Sequence, residues 1–294
     1  MQNQHITQVF NQVDSLPSLP ATVAKVLAVT ADPESSATDL MEAILPDQSM
    51  CATILKIANS AFFGMPREVA TMDKAVTVLG FNEVHNIVLG KAVFNSFQKI
   101  GTGSQKTIQE FWAHSFSCAL AAKILADDLG CSPSELFIAG LIHDIGKLVI
   151  LMALPGEYLP MLELTGIHQL KCHQAESETF NINHEQVGFR LLTRWLFPER
   201  LLNSVGFHHH PQNDGNNSLY ALIIQLSDIL SILLHEQGID SSKSLLSQVS
   251  TLLPGTKSLW KQHHLVIKEE QLEEWSQKLK ISLEQDNGIL QMFS

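Results

Sequence analysis

Apolar residues recur at helical spacing along most of the chain, and no segment alternates apolar and polar residues as a half-buried strand would. In the first hundred residues this pattern predicts five helices, which cover Ala21 to Val29, Leu40 to Leu45, Ile54 to Ile57, Thr71 to Gly80 and Glu83 to Phe97. Ser36 or Thr38 can cap the second helix, and Pro46 stops it. The pattern therefore predicts an all-α protein built as a multi-helical bundle.

A polar stretch with Gly101, Gly103 and Ser104, within residues 98–107, is the best internal boundary that composition offers. We therefore predict an N-terminal helical subdomain at residues 1–100 and a core at residues 101–238. Leucines at helical spacing after residue 239 predict two or three further helices at residues 239–294, which close the fold or contact a partner.

The segment from Ala139 to Lys147 places His143, Asp144 and Lys147 among apolar residues at helical spacing. Burying an unpaired charge costs several kcal/mol, so these groups need compensation inside the protein. A bound cation is a natural source of that compensation. The segment therefore indicates a metal site.

A divalent ion takes about four to six donor atoms, so further ligands must come from elsewhere in the chain. Asp228 is the only charged residue between Tyr220 and Leu234, which makes its carboxylate difficult to explain as a surface group. Histidines and one further acid complete the candidate set: Glu110, His114, His184, His208 and His209.

The order of these ligands is similar to that of the HD superfamily of metal-dependent phosphohydrolases. Three upstream motifs give a closer resemblance: Leu16-Pro17-Ser18-Leu19-Pro20, Leu55 to Gly64 with the sequence LKIANSAFFG, and Ala75 to Gly80 with the sequence AVTVLG. Together they resemble the HDOD family, the HD-related output domain of bacterial signalling proteins. The resemblance implies an HD-like helical bundle preceded by an N-terminal helical subdomain.

The resemblance also implies roles for the candidate ligands. A first metal position is implied for His114, His143, Asp144 and Asp228, and a second for His184, His208 and His209. Asp144 would bridge the two metals, and Glu110 matches a position from which a carboxylate joins a larger cluster. Fe, Mn, Mg, Ni and Zn all suit such a dinuclear site, which activates a hydroxide for attack on phosphorus. Lys147 would bind a phosphate oxygen.

Each assignment also has a purely structural alternative. His114 could be a hydrogen-bonded core histidine, and Asp228 could pair with an arginine or cap a helix. Glu110 could be an acid that favours a helix dipole. Lys147 could extend its ammonium group to solvent. His210 and the histidines outside the motifs are interpreted as surface or packing residues.

Two functions from different classes remain open. One is a phosphohydrolase acting on a phosphoester or a nucleotide. The other is a noncatalytic signalling module whose site binds metal or ligand or is vestigial. The segment Pro211 to Asn217 reads PQNDGNN where HD-GYP enzymes carry Gly-Tyr-Pro. The resemblance therefore does not imply their cyclic dinucleotide activity.

Composition limits the partners and the location. A formal net charge of -11 disfavours a phosphate-backbone surface, because nucleic-acid affinity comes from clustered Lys and Arg. The four cysteines form no C-x-x-C pair, so neither a zinc knuckle nor a disulfide framework is indicated. With no secretory signal and no expected apolar run of about 18 residues, the chain is predicted to be cytoplasmic and not to contact a membrane. Signalling proteins and phosphorylated small molecules are the expected partners.

Overall fold

The computed structural model describes residues 2–60, 68–97, 105–165, 172–215, 218–235, 243–253, 255 and 257–284. These residues form α-helices and one short 3-10 turn at Pro211–Asn213, with no strand among them, which confirms the all-α prediction. In chain order the helices are α1 (Gln2–Ser15), α2 (Ala21–Ala31), α3 (Ala37–Ile44), α4 (Gln48–Ala58), α5 (Met72–Leu79), α6 (Phe81–Ser96), α7 (Gln105–Leu129), α8 (Pro133–Ile142), α9 (Ile145–Ala153), α10 (Pro155–Thr165), α11 (Cys172–Phe180), α12 (His184–Arg194), α13 (Glu199–Phe207), α14 (Ser218–His235), α15 (Leu245–Leu252), α16 (Lys257–Gln262) and α17 (Glu269–Glu284).

The helices form two compact units that divide the chain differently from the predicted subdomains. Helices α2 to α6 make up the smaller unit, whereas α1 joins α7 to α17 in the larger one. Helix α1 belongs there because its fully buried Val9 and Val13 lie on a helix that contacts α9, α11 and α12. Composition could not show this long-range pairing. The predicted boundaries themselves fall at residues 98–104 and 236–242, outside the described residues.

Side-chain caps define the helices of the smaller unit. Ser36 is the N-cap of α3 and forms a capping box with Asp39, which decides between the two caps that the sequence offered. Thr71 caps α5, and Gly80 ends it with a positive φ of 87°. The Asn59 side chain bonds both the N–H and the carbonyl of Val69 at 2.8 Å, which ties the end of α4 to the approach to α5. Residues 61–64 of the motif around Asn59 lie outside the described residues.

Helices α8 and α9 form the centre of the larger unit and are separated by His143 and Asp144. Asp144 has φ −97° and ψ 7°, so the chain bends there and α9 starts afresh. Helix α7 packs along α8, α12 packs against α9, and α14 packs against α7 and α13. The bend therefore lies where the helices that carry the other candidate ligands converge.

One stretch of the described chain, Pro133–Ala153, is long and apolar enough to cross a membrane, with a mean hydropathy of 1.9. The expectation that no apolar run reaches this length was therefore wrong. The stretch consists of α8 and α9, and 89% of its most apolar window is buried inside the protein. Its composition is that of a core helix pair, because most of its surface is buried against other parts of the protein.

The C-terminal segment packs on the larger unit. Leu272, Trp275 and Leu279 of α17 are buried at helical spacing. The Trp275 indole donates to Asp128 at the end of α7 at 2.6 Å. The described residues from 243 onward form three helices, α15, α16 and α17, which agrees with the two or three predicted.

Gly146 lies at a close backbone contact between α9 and α12. A Cβ atom there would lie 2.1 Å from the carbonyl oxygen of His184 and 2.9 Å from the backbone nitrogen of Gly188. Both neighbours are backbone atoms and cannot rotate away. Only glycine lets α9 approach α12 this closely.

We therefore predict that Gly146→Ala lowers the free energy of unfolding by about 3 kcal/mol, because α9 and α12 must separate. Gly156→Ala is the matched control, since a Cβ there meets nothing within 4 Å and the residue lies in α10. The control should be neutral or stabilising by up to about 1 kcal/mol. Urea denaturation of both variants measures the difference. Equal stability of the two would contradict the close contact.

Candidate metal centre

A first group of ligand atoms comes from three helices of the larger unit. His114 lies on α7, His143 follows α8 and Asp228 lies on α14, and all three are buried. The Nε2 atom of His114 is 3.0 Å from Asp228 Oδ1, and the Nε2 atom of His143 is 3.8 Å from the same oxygen. Asp144 Oδ2 lies 3.3 Å from His143 Nε2 and 3.8 Å from His114 Nε2. Two imidazoles and two carboxylates thus face one point.

A second group lies on the other side of Asp144. The Nε2 atom of His184, the first residue of α12, is 3.1 Å from Asp144 Oδ1. The Nε2 atoms of His208 and His209 lie 3.4 and 3.0 Å from that of His184. The candidate donor atoms of these four residues all lie within 4.8 Å of one another. Three imidazoles and one carboxylate thus face a second point.

The two groups share Asp144, whose oxygens point in different directions. Oδ2 faces the group of His114, His143 and Asp228, and Oδ1 faces the group of His184 and His208. Metal–ligand bonds of about 2.1 Å at angles of 90 to 110° separate neighbouring ligand atoms by about 3.0 to 3.4 Å. Many of the observed separations lie in or near this range. The arrangement matches two adjoining coordination shells with one bridging carboxylate.

Hydrogen bonds on the far side of four imidazoles turn their Nε2 lone pairs toward the centre. The Nδ1 atoms of His143 and His208 bond the carbonyls of Gly140 and Val205 at 2.7 and 2.9 Å. A carbonyl only accepts, so each Nδ1 carries the proton and each Nε2 is left to bind a metal. His184 Nδ1 is 2.7 Å from a carboxylate oxygen of Glu176, which fixes the same tautomer.

His114 follows the same rule through a hydroxyl group. Its Nδ1 lies 3.2 Å from Ser231 Oγ, and that hydroxyl donates its own proton to the carbonyl of Asp228 at 2.9 Å. The Ser231 oxygen can therefore only accept from His114. The local turn of α14 that carries Asp228 thereby also orients His114.

Charges around the bridge favour the forms that bind a metal. Burial by itself would raise the pKa of Asp144, but His143, Lys147 and His184 outweigh it and hold that pKa well below its usual range. Burial likewise opposes ionisation of Asp228, yet the neighbouring side chains of His114 and His143 outweigh it and lower its pKa. Both carboxyl groups are therefore anionic at neutral pH.

The imidazoles of the two groups behave differently. Burial lowers the pKa of His208 and of His209, which favours the neutral form that coordinates metals. For His143, burial acts in the same direction but Asp144 outweighs it and raises the pKa well above the usual value. A metal ion and a proton therefore compete for His143 Nε2.

The donor set fits a divalent metal on the observations above. His143 Nε2 and Asp144 Oδ1 are buried atoms without a well-aligned hydrogen bond among the described residues, and both face other ligand atoms. His184 and His208 both donate from Nδ1, so their Nε2 lone pairs face each other at 3.4 Å, an arrangement that a cation between them would stabilise. Imidazole and carboxylate donors together suit borderline and hard divalent ions.

Comparison with known proteins agrees with this site. The sequence profile of the HDOD domain matches residues 16–211, well over half of the chain. The chain belongs to the HDOD family. An uncharacterized protein of Treponema pallidum is 24% identical over 204 residues, which are 69% of this chain and 39% of the Treponema protein. The chain thus spans about two fifths of that relative's length.

Two solved structures share the fold of this HDOD protein. An HDOD domain protein of unknown function from Geobacter sulfurreducens has a TM-score of 0.76 at 23% identity, covering 99% of this chain and 98% of its own. A protein from Shewanella amazonensis, provisionally named a phosphohydrolase, has a TM-score of 0.75 at 24% identity, with 98% of both chains covered. At these identities the likeness shows the fold.

Lys147 lies beside the bridge in this HDOD protein. Its Nζ atom is 2.5 Å from Asp144 Oδ2, and its side chain is only 6% exposed. Burial by itself would lower the pKa of Lys147, but Asp144 outweighs it and raises that pKa. The ammonium group is therefore charged and buried, which excludes the alternative that it extends to solvent.

Glu110 is the one predicted ligand that the structure leaves out of both groups. Its carboxylate is 46% exposed and lies 3.7 Å from Lys106, one helical turn away on α7. The i, i+4 spacing with His114 suggested a shared face, but the Glu110 side chain is directed toward solvent and Lys106, on the preceding turn of α7, whereas His114 is buried. Glu110 reads here as a surface ion-pair residue.

Several residues that contact the ligands carried no sequence signal. Glu176 bonds His184, and Tyr158 donates to Glu176 at 2.5 Å. Glu185 accepts from the backbone N–H of His209 at 2.8 Å and bonds the ring of His210. His173 stacks on His209 with ring centroids 4.2 Å apart. These residues have neighbours that only the fold brings together, so no spacing rule could find them.

We predict that Lys147→Met destabilises the metal-free protein by about 3 kcal/mol, because Asp144 then keeps a buried charge with less compensation. Divalent metal should restore part of the loss by binding the folded state. Lys106→Met is the control, since the Lys106 side chain is 90% exposed, and it should change little. Chemical denaturation with and without metal tests this. A stability loss that metal leaves unchanged would contradict the role of Lys147 as a counter-charge.

We also predict that Glu110→Ala leaves the metal content of the purified protein unchanged, because its carboxylate lies outside both ligand groups. Mass spectrometric metal analysis of the wild-type protein and the variant, prepared in parallel, gives the comparison. A lower metal content in the variant would return Glu110 to the ligand set.

Proposed function

We propose that this HDOD protein is a metal-dependent phosphohydrolase that acts on a phosphoester or a nucleotide. The single observation that carries the proposal is the position of Asp144, whose two oxygens face two separate groups of ligands. This geometry supports the proposal of a dinuclear centre, which would be suited to in-line attack on phosphorus. The provisional name of the Shewanella protein supports the same reaction class.

The residues of the centre would have different roles in the reaction. Divalent metals, when bound, lower the pKa of a coordinated water and stabilise negative charge on phosphoryl oxygens. Asp144 holds the two halves together, and the histidines on either side fix their geometry. Lys147 supplies a permanent positive charge beside the bridge, from which it can attract a phosphate oxygen.

The solvent side of the centre determines how a substrate would enter. His143, His184 and His208 are fully buried and Asp144 is 2% exposed, whereas His209 is partly exposed. A phosphoester would therefore approach past His209.

The net charge of -11 favours a small phosphorylated molecule over a nucleic-acid polymer. Membership of the HDOD family supports a cytoplasmic role in bacterial signalling.

A noncatalytic signalling module is the second candidate function, and the burial of the centre favours it. Closed metal sites in which protein ligands fill the coordination shell are typical of structural roles, whereas catalytic sites keep a position open for water or substrate. With most ligands almost fully buried, the centre could stabilise the larger unit while other surfaces bind signalling proteins. A measurement of phosphoester hydrolysis distinguishes the phosphohydrolase from the noncatalytic module.

We predict that Asp144→Ala lowers hydrolysis of p-nitrophenyl phosphate or bis-p-nitrophenyl phosphate by more than about 100-fold, because loss of an outer partner alone costs about 10- to 100-fold. Metal analysis of the same samples should show loss of bound metal. The control is Asp127→Ala, which removes an exposed carboxylate near the end of α7. Wild-type protein that holds metal but turns over neither these esters nor cyclic dinucleotides would favour the noncatalytic module.

A further inference from the structure

We propose that Glu176 is a positioning residue that sustains the metal half formed by His184, His208 and His209, and that it does so through His184. This inference rests on the metal centre of the proposed function but not on hydrolysis. The carboxylate of Glu176 is 0% exposed and lies behind the His184 ring, on the side away from Asp144.

The contacts of Glu176 converge on this one ligand. Oε2 accepts from the backbone N–H of His184 at 2.8 Å and from its ring Nδ1 at 2.7 Å. Oε1 accepts from the hydroxyl of Tyr158 at 2.5 Å, and the thiol of Cys172 lies 3.5 Å away. A carboxylate held by four donors is fixed in position and fixes the imidazole in turn.

A carboxylate behind an imidazole changes the ligand as well as orienting it. The negative charge makes Nε2 a stronger donor to a cation, and the hydrogen bond selects the tautomer that leaves Nε2 free. The Nδ1 partners of three other candidate ligands are uncharged: His114 contacts the hydroxyl of Ser231, and His143 and His208 contact backbone carbonyls. Glu176 therefore acts on one half of the centre.

A purely structural role is the competing explanation, because Glu176 also satisfies a free N–H at the start of α12. The two explanations differ in what Glu176→Gln should do. The glutamine oxygen can accept both bonds from His184, while its amide donates to Tyr158, whose hydroxyl can turn to accept. The variant thus preserves the contacts and removes the charge.

The test is a zinc titration of the metal-free protein by calorimetry. The wild-type protein should bind two zinc ions. Glu176→Gln should weaken one binding step by about 10-fold and Glu176→Ala by up to about 100-fold, with the other step unchanged. Glu178→Gln, an exposed carboxylate on the same helix, is the matched control and should bind like the wild type.

A double variant separates positioning from structure. In a His184→Ala background the affected step is already lost, so adding Glu176→Gln should have no further effect on zinc affinity. An additional loss there, equal weakening of both steps, or an unchanged Glu176→Gln titration would overturn the assignment. If the zinc pattern holds without any turnover, the proposed hydrolysis fails and the role of Glu176 stands. If the protein hydrolyses phosphoesters but Glu176→Gln binds zinc like the wild type, the proposed role of Glu176 fails and the proposed hydrolysis stands.

Discussion

The larger unit depends on one buried carboxylate. Asp144 lies at the bend between α8 and α9, almost fully enclosed, with Lys147 and several imidazoles around it. An anion in this position requires compensation from every side, because the interior offers little screening. The convergence of helices α7, α12, α13 and α14 on the bend supplies that compensation. The same convergence creates the two groups of candidate metal ligands.

Close packing of α9 against α12 positions the chain bend at Asp144 next to His184. Gly146 lets α9 approach the carbonyl of His184, which brings the first residue of α12 against Asp144. The second half of the centre is therefore set by a backbone contact, whereas the first half is set by side chains from α7 and α14. With α12 in this position, His184 Nε2 lies 3.1 Å from Asp144 Oδ1.

Outer contacts give the two halves different support. Ser231 and the carbonyl of Gly140 orient His114 and His143. Behind His184, the buried Glu176 carboxylate accepts hydrogen bonds from the His184 ring and from the Tyr158 hydroxyl. Such partners fix tautomers and tune ligand strength without touching the metal. The two groups of candidate ligands on either side of Asp144 therefore have different surroundings.

The sequence alone determined the helical class, because hydrophobic spacing and caps such as Ser36 are local properties. It also indicated most of the clustered residues: charged or imidazole residues inside apolar helices are rare, and seven of the eight predicted ligands lie in the two groups. Glu110 lies outside both groups, beside Lys106 at the surface, because helical spacing gives only an approximate direction. Glu176, the grouping of α1 with the larger unit and the two directions of Asp144 were decided by the tertiary structure. Each of them depends on contacts between segments distant in the chain, which no local pattern records.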